Sequence, residues 1–231
     1  MTTQDVTAII GNPNMTRVFS ATATDGQYNN LTDSVTTTAL GLTMPGQQIS
    51  YICATYTSGL AVWRIISSQT NQIYRQGFCS QAGYVEQTAC RIPSLTVAPD
   101  MLFQIYPLAL DATANQSNVL ALVTTNRGVE AFSATNATDN APTPLTALIS
   151  GLGIGDLLFG ATLQNVKVMQ EDGGKLSNIT LVDAASGTQY TGYGSTRLPS
   201  AGATSGQYNG DFMFNTPLQK GWILNAQVIT A

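Results

Sequence analysis

The sequence predicts an all-β chain, built as a β-sandwich or a partly open barrel. Short runs dense in β-branched and aromatic residues recur at a spacing of about ten residues. Turns containing Gly, Asn, Asp or Pro separate them. No stretch of about twelve residues carries apolar side chains at helical spacing.

The elements follow in chain order. Ile49–Thr57 (ISYICATYT) and Leu60–Ser68 (LAVWRIISS) are strands, and Ser58-Gly59 between them reads as the turn of a hairpin. Asn71–Phe78 follows after Gln69-Thr70 and extends a meander. Met101–Leu110 (MLFQIYPLAL) is apolar enough to predict burial on both faces, with Pro107 placing its end at an edge or a bulge. Asp111–Asn118 is a turn-rich loop. Val119–Thr125 and Val129–Ala134 flank Asn126-Arg127-Gly128, a tight reversal.

Thr135–Leu145 (TNATDNAPTPL) has almost no apolar pattern and reads as a linker or long loop. It divides an N-terminal β-rich domain over 1–134 from a C-terminal one over 146–231, with 135–145 between. Leu145–Gly153 predicts one or two helical turns before Gly151. Leu157–Gln170 and Lys175–Ala184 read as a hairpin about Asp172-Gly173, which supplies positive-φ residues. Gly221–Ala231 alternates and predicts a terminal strand that pairs with its own sheet or a neighbour's.

Composition limits the chemistry. Only 10% of the 231 residues are charged, against about 25% in ordinary soluble domains. Such a surface approaches another protein without stripping water from many ions, which favours association. The net charge is −4. Arg17, Arg64, Arg75, Arg91, Arg127 and Arg197 stand singly, so no basic patch displaces counterions and nucleic acid is not an expected partner. No run reaches the roughly 18 apolar residues of a membrane span, and the Met-Thr-Thr-Gln-Asp start lacks the pattern of a signal peptide. The expectation is a protein made in the cytoplasm, with no membrane partner.

There is no histidine, which removes Ser-His-Asp and Cys-His catalysis and every imidazole metal site. Gly151–Gly155 (GLGIG) lacks both the third glycine and the Lys-Ser/Thr pair of a phosphate loop, and reads as a flexible corner entering a strand. Cys53 sits mid-strand among apolar residues and is expected in the core. Cys79 and Cys90 bracket a loop-sized interval able to close a disulfide; synthesis in a reducing compartment favours thiols instead. Paired carboxylates drawn from Asp100, Asp111, Asp156 and Asp183 are the remaining enzymatic option, although Asp belongs at turns for its own hydrogen bonding. Neither DATAN nor EDGG supplies the oxygen cluster of a calcium loop. The expectation is no enzyme, no cofactor and no metal.

One heptapeptide pattern occurs twice: ATDGQYNN at Ala23–Asn30 and ATSGQYNG at Ala203–Gly210. Chance in a Thr/Gly/Asn-rich chain, equivalent loops of a duplicated fold, and a pair of tyrosine anchors all account for it. Tyr28 and Tyr208 are therefore the candidate interface residues, since tyrosine buries a large area with few rotors to freeze.

The Thr/Ala/Gly/Asn-rich strands, the opening MTTQDVTAIIG, the polar hinge TNATDNAPTPL and the closing strand GWILNAQVITA together resemble the small virion proteins of tailed bacteriophages, most of all capsid decoration (cement) proteins. The resemblance implies a β-rich, often trimeric protein on the outside of the head, clamping neighbouring capsomers. Its partners would be the major capsid protein or other virion proteins and copies of itself, with a trimer favoured, and its location the virion. The alternatives are a tail or fibre component and a carbohydrate-binding β-sandwich that stacks sugars on Tyr28, Tyr208, Trp63 or Trp222.

Overall fold

A computed structural model of the chain describes residues 3–56, 60–81, 90–108, 116–138, 140–170, 174–197 and 208–230. The fold is all-β. The chain divides into two compact units, Met1–Leu110 and Asp111–Ala231.

Unit 1 contains β1 (Thr3–Asn12), β2 (Met15–Thr24), β3 (Asn29–Asp33), the single-turn helix α1 (Leu40–Thr43), β4 (Gln48–Tyr56), β5 (Leu60–Ser67), β6 (Ile73–Phe78), β7 (Ser80–Gln81), β8 (Cys90–Thr96) and β9 (Met101–Leu108). These strands form one curled sheet in the order β6-β5-β9-β3-β2-β1-β4-β7, with β8 also paired to β4. Period-2 alternation sends Val6, Ala8 and Ile10 of β1 and Ile52 and Ala54 of β4 to the same core as Trp63 and Ile65 of β5 and Phe103 and Ile105 of β9. The rings of Phe19 and Trp63 both meet Phe103 edge-on at 6.2 Å. Each such pair adds about 0.5–1.5 kcal/mol beyond its area.

Unit 2 contains β10 (Gln116–Thr125), β11 (Gly128–Thr138), β12 (Pro142–Pro144), β13 (Thr146–Ala147), α2 (Ile154–Leu157), β14 (Thr162–Gln170), β15 (Gly174–Asp183), β16 (Gln189–Thr191), β17 (Tyr193–Arg197), β18 (Tyr208–Pro217) and β19 (Trp222–Thr230). Two sheets, β13-β11-β10-β14-β18-β17 and β12-β19-β15-β16, enclose a core that includes Val123, Phe132, Val166, Leu181 and Leu224.

The two units are the same fold. The order β2-β1-β4-β8 in unit 1 reappears as β11-β10-β14-β18, and β6-β5-β9-β3 reappears as β16-β15-β19-β12. Registers agree along the central core pairs. Ile10 faces Ile52 as Val123 faces Val166. Ile65 faces Phe103 as Leu181 faces Leu224. The irregularity between Ile49 and Tyr51 recurs between Leu163 and Asn165. The strand β3, which bridges both halves of the unit 1 sheet, corresponds to β12 and β13 together, with buried Leu31 matched by buried Leu145.

The helical turns match as closely. The residues before α1 and α2, Ala39 and Gly153, have φ/ψ of −67/162 and −69/162. Buried Gly41 and Gly155 lie against the loop that precedes the last strand. A Cβ on Gly41 would strike the Pro99 carbonyl oxygen, and one on Gly155 the Trp222 amide. Gly46 and Gly160 both have φ of 75° and donate their N–H to Val97 and Leu218 at 2.8 and 3.0 Å. Val97 and Leu218 return bonds to Gln47 and Ala161 at 2.9 and 2.8 Å.

Several expectations change. The strands β4 and β5 do not pair: β4 lies beside β1 and β8, and β5 beside β6 and β9. Likewise β14 pairs with β10 and β18, and β15 with β16 and β19. Both expected hairpins are thus crossings between the halves of a unit; their turns, Ser58-Gly59 and Asp172-Gly173, lie outside the described residues. The reversal at Asn126-Arg127 is a true hairpin, with Thr125 opposite Gly128. The strand β9 alternates between buried and half-buried residues along Met101–Pro107, not buried on both faces. Pro107 lies beyond the last residue that β3 pairs with, so its missing N–H costs no ladder bond there.

The units divide at Leu110, not within 135–145. Ala137 and Thr138 pair with β10, and Pro142–Pro144 with β19. The helix near 150 begins at Ile154, after Gly151, so GLGIG opens a packed helical turn and is not a loose corner.

Two outcomes follow from this architecture. Residues 1–110 and 111–231, expressed separately, each give a cooperative thermal transition by circular dichroism. Gly41→Ala or Gly155→Ala destabilises its own unit by about 3 kcal/mol in urea unfolding, through forced overpacking against backbone.

Candidate interaction surfaces

The tip of unit 1 is the segment from Asp33 through α1. The carboxylate of Asp33, almost fully buried, accepts hydrogen bonds from the N–H of Val35 at 3.1 Å and of Thr36 at 2.7 Å, and from the Thr36 hydroxyl at 2.9 Å. These donors, the Thr36 amide foremost, hold its pKa below the ordinary carboxylate value, and the Arg17 charge adds to the effect. Hydroxyls continue the link: Thr36 to Thr38 at 2.7 Å, then Thr38 to Thr43 at 2.8 Å. The turn is thereby tied to the helix.

Unit 2 closes the equivalent turn without a carboxylate. Ala147 stands where unit 1 has Asp33. The turn bonds Thr37 N–H to Asp33 O and Gly151 N–H to Ala147 O are both 2.8 Å. The left-handed residue is Thr37 at φ 57° in unit 1 and Gly151 at φ 68° in unit 2. A β-branched residue there is strained, so unit 1 offsets with the Asp33 bonds what unit 2 avoids with glycine. A second matched turn, after β5 and β15, has Asn71 and Gly187 at φ 59° and 71°. Its amides are held by the Ser67 hydroxyl in unit 1 and by Asp183 in unit 2. The Ser186 hydroxyl, at 2.6 Å, is the main cause of the lowered pKa of Asp183.

Both tips expose large apolar side chains at matched positions. Val35 is 82% exposed and its counterpart Ile149 68%. Leu42 on α1 is 68% exposed. Around α2, Leu152 and Phe159 are 45% and 54% exposed. Sequence reading did not single these residues out. The available signal was one β-branched residue set among turn formers, as in DSVTT (Asp33–Thr37).

Elsewhere, Tyr193 and Met213 form an exposed cross-strand pair on β17 and β18. Tyr190, on the edge strand β16, stacks on half-buried Trp222 at 5.3 Å and 26°.

Tyr28 is half-buried. Its ring meets Tyr106 edge-on at 5.1 Å, and the Arg64 guanidinium lies 3.4 Å above the ring centroid. Arg64 Nε donates to Gln104 at 2.8 Å, and Gln104 donates to Asn30 at 2.8 Å. Burial pushes the Tyr106 pKa up. Tyr208 opens β18 opposite Gln170; its side chain is outside the described residues. The two copies of the heptapeptide are not structural equivalents. Tyr28 precedes β3, while Tyr208 starts the counterpart of β8.

Trp63 is core, packed against Gly77. Cys53 is not: Ile52 and Ala54 face inward, and Cys53 sits half-buried on the other face, opposite partly exposed Ile9. Alternation along β4 decides this, not local hydropathy. Cys79 is buried; the side chain of Cys90, and with it the disulfide question, lies outside the described residues. Of the four carboxylates considered for catalysis, Asp100 bonds the Ser67 hydroxyl, Asp183 holds its turn, Asp156 is exposed on α2, and Asp111 is not described. DATAN and most of EDGG fall outside the described residues as well. Among the described residues no group of three or more His, Cys, Asp or Glu side chains could hold a metal ion, and no helix is long and apolar enough to cross a membrane. No family model, curated protein or solved structure matches the chain.

Two measurements probe the tip. Asp33 has a depressed folded pKa, so its contribution is present above its unfolded value near 4 and is lost as pH falls through the folded value. Asp33→Asn should lower stability at neutral pH and flatten part of the loss that sets in as pH falls below about 4 in pH-dependent melts. Thr37→Gly should raise the stability of unit 1 by about 0.5–1 kcal/mol, since relief of left-handed strain exceeds the added backbone entropy.

Proposed function

We propose that this chain is a non-enzymatic structural protein of a virion, one that binds and stabilises an assembled capsid lattice in the manner of a decoration or cement protein. The observation that carries the reading is the repetition of one fold within one chain. A chain that presents each surface twice suits a partner that repeats in space, because the second contact forms at the high effective concentration set by the first. The low charge supports it, since wide neutral surfaces associate without desolvating ions. The mechanism is mass action: a protein that binds only the assembled lattice stabilises it, by about 2.7 kcal/mol per site at a hundredfold excess over Kd. Partners are the major capsid protein or other virion proteins, and copies of the chain itself, with a trimer favoured.

The stacked pair Tyr190–Trp222 favours a second reading, a carbohydrate-binding module, because an exposed aromatic face on an edge strand suits a pyranose ring. Purified protein mixed with DNA-free heads of a tailed phage, stripped of outer proteins, distinguishes the two. Saturable co-sedimentation at a fixed ratio to capsid subunits is the expected result. Protein that stays in the supernatant at every ratio, yet is retained on a glycan array and released by Tyr190→Ala, overturns the lattice reading.

A further inference from the structure

Unit 1 serves as an internal reference for unit 2, because matched positions answer the same demand of the fold. Where β15 ends beside the start of β19, the pair Asp183–Trp222 matches Ser67–Met101, and Tyr190 matches Arg75. Unit 1 closes this end with buried Met101 and turns the Arg75 guanidinium back to the Tyr74 carbonyl at 2.6 Å. The fold therefore requires no aromatic ring there. Unit 2 places two, with exposed Tyr190 stacked on half-buried Trp222.

Alternation puts a carboxylate on the same face. Asp183 and Trp222 follow Leu181 and Leu224 at a spacing of two, and Tyr190 lies opposite Leu181. Leu181 and Leu224 are buried, so the two rings roof that end of the core. Asp183 stands directly opposite Trp222 in the ladder, a separation of about 4.5–5.5 Å between Cβ atoms. Its turn adds the exposed hydroxyls of Ser186 and Thr188, 2.9 Å apart. This grouping selects a ligand by chemistry. Aromatic faces attract C–H groups, which carry partial positive charge. A carboxylate accepts hydrogen bonds and donates none. A pyranose supplies both needs, with a C–H face and hydroxyl donors around its edge. A proline-rich peptide, another ligand of exposed Tyr and Trp rings, offers carbonyl acceptors and no N–H at proline, so it gives the carboxylate nothing to accept. An acidic sugar would bring a second negative charge to Asp183, which the Ser186 hydroxyl and the Ala185 N–H keep ionised.

We propose that Tyr190, Trp222 and Asp183 form a binding site for a neutral hexopyranose of a glycan, with the sugar ring stacked on Tyr190 and its hydroxyls donating to Asp183. This names the ligand of the carbohydrate reading and rests on that reading; it needs nothing from the lattice reading.

The test is titration of the purified full chain with methyl β-D-glucopyranoside and with methyl β-D-glucuronide, followed by tryptophan fluorescence. Trp63 is core, so a saturable change reports Trp222. The neutral glycoside is expected to saturate with a Kd on the order of 1 mM, as suits a ligand of its size. The glucuronide should bind about 10-fold more weakly or worse. Tyr190→Ala should weaken the neutral glycoside about 30-fold or more. Asp183→Asn, which keeps an acceptor for the Ala185 N–H, should weaken it about 10-fold and erase the gap between the two sugars. Circular dichroism checks that both variants fold. A glucuronide that binds as tightly as the glucoside, a titration that Tyr190→Ala leaves unchanged, or retention on an immobilised proline-rich peptide in place of sugars overturns the proposal. Glycans held on an array regardless of Tyr190 and Asp183 overturn this site and leave the carbohydrate reading standing; a chain that binds no sugar in either assay overturns both.

Discussion

The close approach of a single helical turn to the loop before the last strand holds each unit together. Gly41 and Gly155 allow the contact because any side chain would overlap backbone atoms. The bonds from Gly46 to Val97 and from Val97 to Gln47, and from Gly160 to Leu218 and from Leu218 to Ala161, then lock it. With that end fixed, the first pairs of β4 with β8 and of β14 with β18 are set, up to the irregularity that follows in each, and so is the start of β9 and β19. The core rows of these strands depend on their registers, since a slip by one residue would turn an apolar row outward.

The same clasp explains why the units diverge in sequence and not in shape. Hydrophobic packing tolerates exchange within a size class when volume and pattern are kept. Leu40 and Ile154 exchange in this way, as do Met44 and Leu158. Backbone demands are less forgiving. Where unit 2 meets them with glycine at 151 and 187, unit 1 meets them with Thr37 and Asn71 and recruits side-chain oxygens from Asp33 and Ser67 to hold the turns.

Much of this was legible in the sequence, and what was not had physical causes. Alternation and turn chemistry gave the all-β class, the β10–β11 reversal and the terminal strand β19. Alternation reports which face of a strand is buried, however, and says nothing about which strand lies beside it. Hence β4–β5 and β14–β15 read as hairpins although each pair separates across a core. The polar segment around 140 read as a linker because strand pairing there rests on backbone groups and on an edge position, neither of which needs apolar residues. The repeated ATxGQYN stretch points to a duplicated fold only by accident, since its two copies fall at unmatched positions, while most truly matched residues differ in identity, as Ile10 and Val123 or Phe103 and Leu224 do. The exposed tip residues were hidden for a related reason: lone apolar residues in loops are common and carry no period.

Pro142 and Pro144 have a further effect. Leu145 turns its amide toward β19, and alternation turns the amide positions of the two prolines outward. Those positions have no hydrogen to offer, so this flank of the four-stranded sheet presents a foreign strand with acceptors and no donors at 142 and 144, which disfavours backbone pairing. The opposite flank, exposed Gln189–Thr191, has no such block. The two borders of that sheet are therefore unequal: imino acids deprive one of donors and leave the other its full set.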